Sequence, residues 1–405
     1  MSLSPNILPA FEQIGLYEEL MSFSKSFKNS SYYTGQLKVI ARDEGIPADA
    51  VGYDRIQFAR PELYDMLFKQ IPPEKMHMSK KILSFQQNHE GVMLRFSDNT
   101  TTHGDILVGA DGAHSAVRQH LYQTLDKQGL LPKADTKAMS RGYISLVGTT
   151  EALDPEKYPG VLKKDCDINF IIGDKNTPYT VSSYLDLDMS RGTTCMDFNR
   201  KPKWTTFTVP GNKICWNVII QIGIAELADD QFRTSDWIEK VSKVYFEDML
   251  FETWNHGRTI LIGDDECSGG VHYSQIGEDN HVNQYNIHSA SLLQLLPSTG
   301  AGAVNAMQDA VLLANHLYDI KPTSFENIQK ALSDYKNERF EAVKEQYPQS
   351  YMAAKLMYGH TFSERILRQI VFNWLPKSTM QKQLQKNTAY RPQANFLPQA
   401  PKRGT

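Results

Sequence analysis

The chain has 405 residues, 41% of them apolar and 22% charged, enough to bury the cores of two or three domains. Forty-three Lys and Arg stand against 46 Asp and Glu, and the net charge of -3 excludes the basic footprint of a nucleic-acid binder and points to a small-molecule partner. Cys166, Cys195, Cys215 and Cys267 form no C-x-x-C pair, no run of about 18 apolar residues is present, and Met1-Ser-Leu-Ser-Pro lacks the regions of a secretory signal. The reading is therefore a cytoplasmic chain without disulfide framework, zinc site or transmembrane segment.

In chain order, apolar residues at helical spacing predict helices over Ile7 to Ser22 and over Ile56 to Ile71. Val92, Leu94 and Phe96 alternate with other residues, Asp98-Asn99 supplies a turn, and the apolar run from Asp105 to Ala110 breaks at Asp111-Gly112, which reads as a hairpin leading into a buried strand. Strand signals dominate from Arg141 to Gln221: Tyr143 to Val147, Ile168 to Ile172, Trp204 to Val209 and Lys213 to Gln221. Thr259 to Gly263 is a further short buried strand, ending in Asp264. Helices follow over Ala306 to Ile320 and Ser324 to Tyr358, and the tail from Arg391 is irregular. Arg365 to Leu375 has an apolar face with flanking basic residues. At this length it reads as a packed C-terminal helix in preference to a membrane-surface segment.

Two buried strands thus end in Asp111 and Asp264. A single Asp there is most often a turn former or helix cap, but two at the mouth of one parallel sheet suit the hydroxyls of a ribose or ribityl chain. Pro297-Ser-Thr-Gly300-Ala301-Gly302-Ala-Val-Asn305 opens the next helix. Its backbone N-H groups lack intrahelical partners, and the aligned peptide dipoles leave roughly half a positive charge for an anion. The eleven histidines are scattered, His281 and His288 lack ligand spacing and a third partner, and no Ser-His-Asp or paired-carboxylate set stands out, so neither a metal site nor a protein nucleophile is predicted. Trp204, Phe207 and Trp216 lie in the strand-rich block, where core packing is the favoured role over lining a pocket.

In these residues the chain resembles the flavin-dependent monooxygenases of the para-hydroxybenzoate hydroxylase type, particularly their fungal salicylate-hydroxylase-like members. Gly109-Ala-Asp111-Gly112-Ala-His-Ser115-Ala-Val-Arg118 matches the family's DG motif, which implies contacts of Asp111, Gly112 and Arg118 with FAD and the incoming nicotinamide. Gly263-Asp264 matches the GD motif, whose Asp holds the ribityl chain. Pro297, Gly300, Ala301 and Gly302 match the loop whose backbone meets the pyrimidine edge of the flavin, and Arg60 matches an Arg opening a helix near the cofactor. The resemblance implies FAD as cofactor, NAD(P)H as co-substrate, O2 and a small, aromatic or apolar molecule as partners, and hydroxylation or epoxidation through a flavin C4a-hydroperoxide with water excluded. Reduced flavin is anionic at its N1 to C2=O edge, where the positive end of the helix beginning near Ala303 would stabilise it.

The implied fold is α/β with α+β elements: a Rossmann-like FAD-binding domain in two pieces, 1-140 and 254-355, a strand-rich substrate domain over 141-253, and a C-terminal helix and tail over 356-405. The G-x-G-x-x-G unit that opens such proteins is missing from this sequence, so the FAD domain reads as incomplete and the chain as N-terminally truncated. Residues 181-203 and about 265-294 interrupt the family pattern. Val181-Ser182 can be encoded by GTAAGT, and Lys203 and Gln294 by codons ending in AG, so both segments read as translated introns, with genuine surface loops as the alternative. Two other functions stay open: a remnant that binds no FAD, and a flavin-dependent dehydrogenase or reductase on the same scaffold. Substrate, nicotinamide preference and oligomeric state have no sequence signal.

Overall fold

The structure is a computed structural model that describes residues 1-34, 38-44, 48-112, 114-172, 203-221, 238-263, 267-268, 271-275, 301-358, 362-374 and 376-403. Strand β1 (Ser2–Leu3) leads into α1 (Leu8–Gln13) and α2 (Tyr17–Ser22), then β2 (Lys25–Thr34), β3 (Val39–Glu44), the single turn α3 (Ala48–Val51), β4 (Arg55–Gln57) and α4 (Arg60–Phe68). The hairpin strands β5 (Ile82–Gln87), β6 (Val92–Phe96) and β7 (Thr101–Gly104) precede β8 (Leu107–Gly109) and α5 (Ala116–Lys127). Next come β9 (Ser140–Thr150), β10 (Asp165–Ile172), β11 (Lys203–Val209), β12 (Lys213–Gln221), β13 (Ile238–Leu250), β14 (Asn255–His256), β15 (Thr259–Leu261), β16 (Cys267–Ser268) and β17 (Val271–Gln275). Helices α6 (Ala301–Tyr318), α7 (Phe325–Tyr358), α8 (Phe362–Asn373) and α9 (Lys377–Ala389) complete the chain.

Two expected helices are divided, for local reasons. The apolar pattern from Ile7 to Ser22 becomes α1 and α2 because Gly15, at φ +74°, takes a left-handed conformation that stops the first helix, and Leu16 N-H turns back to the Phe11 carbonyl at 2.9 Å. In the stretch from Ile56 to Ile71, Arg55–Gln57 instead pair with β1 and β2, and the helix begins only at Arg60, where Pro61 needs no donor in the first turn. The hairpin turn at Asp98-Asn99 forms as expected, with Asn99 at φ +64°. The strands read from 141 to 221 all appear, as β9 to β12. They join a larger sheet than that segment alone supplies, in the order β1-β4-β2-β10-β11-β12-β9-β13, with β3 beside β2.

The remaining strands form two three-stranded sheets, β14-β15-β8 and β5-β6-β7. Of the two segments read as translated introns, 181-202 lies outside the described residues. Within the second, about 265-294, β16 and β17 add to the edge of β13, and the rest of that segment is likewise outside them. Three apolar clusters among the described residues tie these elements together. Leu3, Ile7, Phe11, Ile56, Phe58, Leu63 and Met66 enclose Val304, which ties the first turns of α6 to β1, β4 and α4. Ile260, Leu312, Leu332 and Tyr335 join β15 to α6 and α7, while Leu107, Val117, Leu121 and Leu261 join β8 to α5 and β15. Each fully buried side chain of this size contributes about 1.5–3 kcal/mol. No helix among the described residues is long and apolar enough to cross a membrane.

Candidate functional site

Strands β8 and β15 run side by side in parallel, Leu107 opposite Thr259 and Gly109 opposite Leu261, and Ile262 N-H donates to the Gly109 carbonyl at 2.9 Å. Their carboxyl ends are therefore neighbours, which is where ligands of parallel sheets bind. Past β8, Gly112 sits at φ +84° and turns the chain toward α5. The Asp111 carboxylate then accepts the Ser115 hydroxyl at 2.5 Å and the N-H groups of Ala116 and Val117 at 2.6 and 3.4 Å, while Ser115 Oγ accepts Arg118 N-H at 2.9 Å. Asp111 thus closes the start of α5, the cap role that a strand-end Asp most often takes. Arg118 is buried, its guanidinium 4.5 Å above the Phe251 ring, and helps join α5 to the segment before β14.

Past β15 the construction differs. Gly263, at φ +67°, donates its N-H to Asp309 Oδ2 at 3.1 Å, and a Cβ added at this position would lie 3.3 Å from Ala306 Cβ. A side chain here would have to adopt the left-handed backbone and crowd Ala306, so glycine suits the close approach of the strand end to α6. Asp309 and Arg339 are 1% and 0% exposed. Arg339 Nε donates to Asp309 Oδ1, and its Nη2 donates to Asn305 Oδ1 at 2.7 Å, so one guanidinium from α7 fixes both the first turns of α6 and the carboxylate that holds Gly263. Ala301 and Gly302 form the opening turn of α6, and that turn carries no acidic side chain. Its positive end is not neutralised by a carboxylate of its own. Asp264, Pro297 and Gly300 lie outside the described residues.

Arg60 occupies the first position of α4, after Ala59 in extended conformation. Met1 N donates to the Phe58 carbonyl at 2.7 Å, two residues before Arg60, and β1 contacts α6. The starts of α4 and α6 therefore flank the same short strand. Among the described residues, the ends of β8 and β15 are neighbours, Gly263 lies against α6, and Arg118 is set back in the core.

Of the aromatic candidates, Trp216 is 1% exposed and packs its indole over Gly148, where a Cβ would overlap the ring, so it is a core residue. The side chains of Trp204 and Phe207 are outside the described ones. Burial pushes the Cys166 thiol up to about 12 and raises that of Cys215, which keeps both as neutral packing groups. Among the described residues no three His, Cys, Asp or Glu side chains are grouped to hold a metal. A cavity of about 590 Å³ lies between the second half of α6, α7 and residues 389-395, and none of the predicted site residues lines it.

The sequence places Asn305 at the end of the helix-opening segment without a role, and it does not single out Asp309 or Arg339. Its one available signal was a charged residue inside the apolar stripe of α6, between the buried Val304 and Leu312.

No family model matches the chain. The FAD-dependent monooxygenase ausM of Penicillium brasilianum is 23% identical over 420 residues, covering 97% of this chain and 78% of that protein. The FAD-dependent monooxygenase cle3 of Aspergillus versicolor is 23% identical over 386 residues, covering 91% and 70%. Among solved structures, Klebsiella pneumoniae HpxO complexed with FAD and uric acid has a TM-score of 0.68 at 16% identity, covering 97% of this chain and 88% of that one. The 2,6-dihydroxypyridine-3-hydroxylase of Arthrobacter nicotinovorans has a TM-score of 0.61 at 14% identity, covering 100% and 88%. In sequence and in fold, the chain is a relative of the FAD-dependent monooxygenases.

Proposed function

We propose that the chain is an FAD-dependent monooxygenase that takes electrons from NAD(P)H and one oxygen atom from O2 to hydroxylate or epoxidise a small, aromatic or apolar molecule, acting in the cytoplasm. The observation that carries this reading is the Gly263 turn. The glycine lies against Ala306 and is held by Asp309, in the second and third turns of α6, a helix whose opening turn is free of acidic side chains. Such a site suits a planar, partly anionic ring: small residues let backbone approach it, and the helix end favours the charge it gains on reduction. Relatives across nearly the whole chain that are FAD-dependent monooxygenases support the same cofactor.

Within that reading, Gly263 and Asp264 would meet the ribityl chain, and Pro297, Gly300, Ala301 and Gly302 the pyrimidine edge. Gly112 would offer backbone at the neighbouring strand end, and Arg60 a positive charge from the start of α4. Asp111 and Arg118 would act through α5, by holding the turn that presents Gly112. The group itself supplies electron transfer and oxygen activation when bound. The protein's share is to orient it, to stabilise charge at one edge and to exclude water, for which no protein nucleophile is required.

Purification followed by reconstitution with FAD tests this. The expected result is a bound-flavin absorption in the blue and oxygen consumption that requires NADH or NADPH and an apolar substrate. No blue absorption after reconstitution overturns the flavin reading. Substrate oxidation without oxygen incorporation into product would instead identify a dehydrogenase.

A further inference from the structure

The tail beyond α9 has no regular structure, as its sequence indicates, yet its backbone is held by side chains far away in the chain. Gln13 of α1 donates Nε2 to the carbonyls of Ala394 and Pro398 at 3.1 and 3.0 Å, and its Oε1 accepts Ala394 N-H at 2.8 Å. Asn315 of α6 repeats the pattern beside it: Nδ2 donates to the Gln393 carbonyl and Oδ1 accepts Asn395 N-H, both at 2.8 Å. A carboxamide that both donates and accepts stands in for the neighbouring strand that an irregular segment lacks. At the far end Arg403 pairs with Glu12 at 2.6 Å, its guanidinium 5.5 and 5.3 Å from the centres of the Tyr17 and Tyr53 rings. A Cβ added at Gly52 would overlap the Arg403 backbone.

Residues 390-403 therefore form a strap from α6 to α1. On the α7 side, residues 389-395 border the cavity of about 590 Å³, so the strap is packed on one side and its docking leans on hydrogen bonds of modest net strength. Its first residue reaches the candidate site. The Tyr390 carbonyl accepts Nε2 of Gln308, the sequence neighbour of Asp309, at 3.3 Å, and the Tyr390 ring lies 5.9 Å from the Arg339 guanidinium. Arg339 holds Asp309, and Asp309 holds Gly263. Tail, ion pair and strand end are thus consecutive contacts.

We propose that residues 390-403 are a latch for the turn at Gly263. Docked, the strap seats Tyr390 against Arg339 and Gln308 and keeps the Asp309 carboxylate on the Gly263 N-H; released, it loosens that turn. Gln13, Asn315 and Tyr390 are positioning residues in this arrangement. The consequence for flavin affinity rests on the flavin reading of the Gly263 turn, whereas the latch itself does not.

Hydrogen exchange of the full chain without cofactor tests the latch. The double variant Gln13→Ala, Asn315→Ala should exchange about tenfold or more faster over 393-400 and also over 259-263, with the circular dichroism of the parent. Tyr390→Leu should speed exchange over 259-263, and Tyr390→Phe, which keeps the ring beside Arg339, should not. If the double variant fails to fold, Arg403→Ser at the exposed far end serves, with a smaller rise over both segments. A released tail with 259-263 exchanging as in the parent overturns the proposal, and so does a tail that stays protected in the double variant. Added FAD supplies a second arm, because coupling between two sites is reciprocal. Bound flavin should slow exchange over 393-400 in the parent and bind about fivefold or more weakly to the double variant. Equal flavin affinity with an unchanged tail overturns the link between latch and cofactor. A parent that binds no flavin overturns the flavin reading, and cofactor-free exchange still decides the latch.

Discussion

Two strand ends, side by side in one parallel pair, are built by opposite means. At the end of β8, support is local: Asp111 bonds to the hydroxyl and amides of the helix that follows it within six residues, and Ser115 adds a second cap. At the end of β15, support is remote. Gly263 is held by Asp309, 46 positions later, and Asp309 by Arg339, a further 30 positions on. The first turn is set once α5 forms, whereas the second exists only when β15, α6 and α7 have docked. A site that must keep a ring flat against a strand end gains from the second kind of support, because its geometry is fixed by packed helices and not by a single loop.

The largest effect should come from the remote support. Arg339→Met removes the partner of a buried carboxylate and should lower unfolding free energy by about 3–5 kcal/mol, read from denaturant midpoints. Pairing it with Asp309→Leu should restore much of the loss, because no uncompensated charge remains. A single variant that stays within about 0.5 kcal/mol of the parent would show that the pair is not buried as described.

Next in size is Gly263→Ala. A left-handed backbone costs an alanine about 1–2 kcal/mol, and the new methyl group presses on Ala306. The stability loss should be accompanied by weakened FAD binding, followed by flavin fluorescence quenching. Gly112→Ala, at the neighbouring turn, shares the backbone penalty at φ +84°. Since the support there is local, its effect should appear mainly in the melting of α5 by hydrogen exchange.

Much of this arrangement was legible from sequence, and the illegible part has a common cause. Both strand ends, the start of α6 and the β9 to β12 strands declare themselves through local patterns: an apolar run stopped by a turn residue, a glycine before a helical period, alternation with β-branched residues. Asp309 and Arg339 do not, because a buried ion pair is a relation between two helices and neither half has a local signature. The same holds for Gln57, whose segment carries a helical apolar period yet pairs as strand with Ser2 and Lys25. In α8, the apolar face was visible, but whether it packs or stays open depends on which side α7 and β3 cover.

The smallest predicted effect sharpens the contrast most. Asp111→Ala deletes a helix cap with three acceptor contacts and should cost about 1 kcal/mol, within the range for an N-terminal cap, with α5 fraying at its first turn. Asp111→Asn keeps an acceptor oxygen and loses mainly the interaction of charge with the helix end, about 0.3–1 kcal/mol, and that difference should shrink in high salt. If Asp111→Asn left stability intact but weakened FAD binding as strongly as Asp111→Ala, the carboxylate would be acting on the ligand, and the two strand ends would be alike after all. If both variants track stability alone, the cap is its whole role, and the burden of holding the cofactor at this edge falls on Gly263 and the helix behind it.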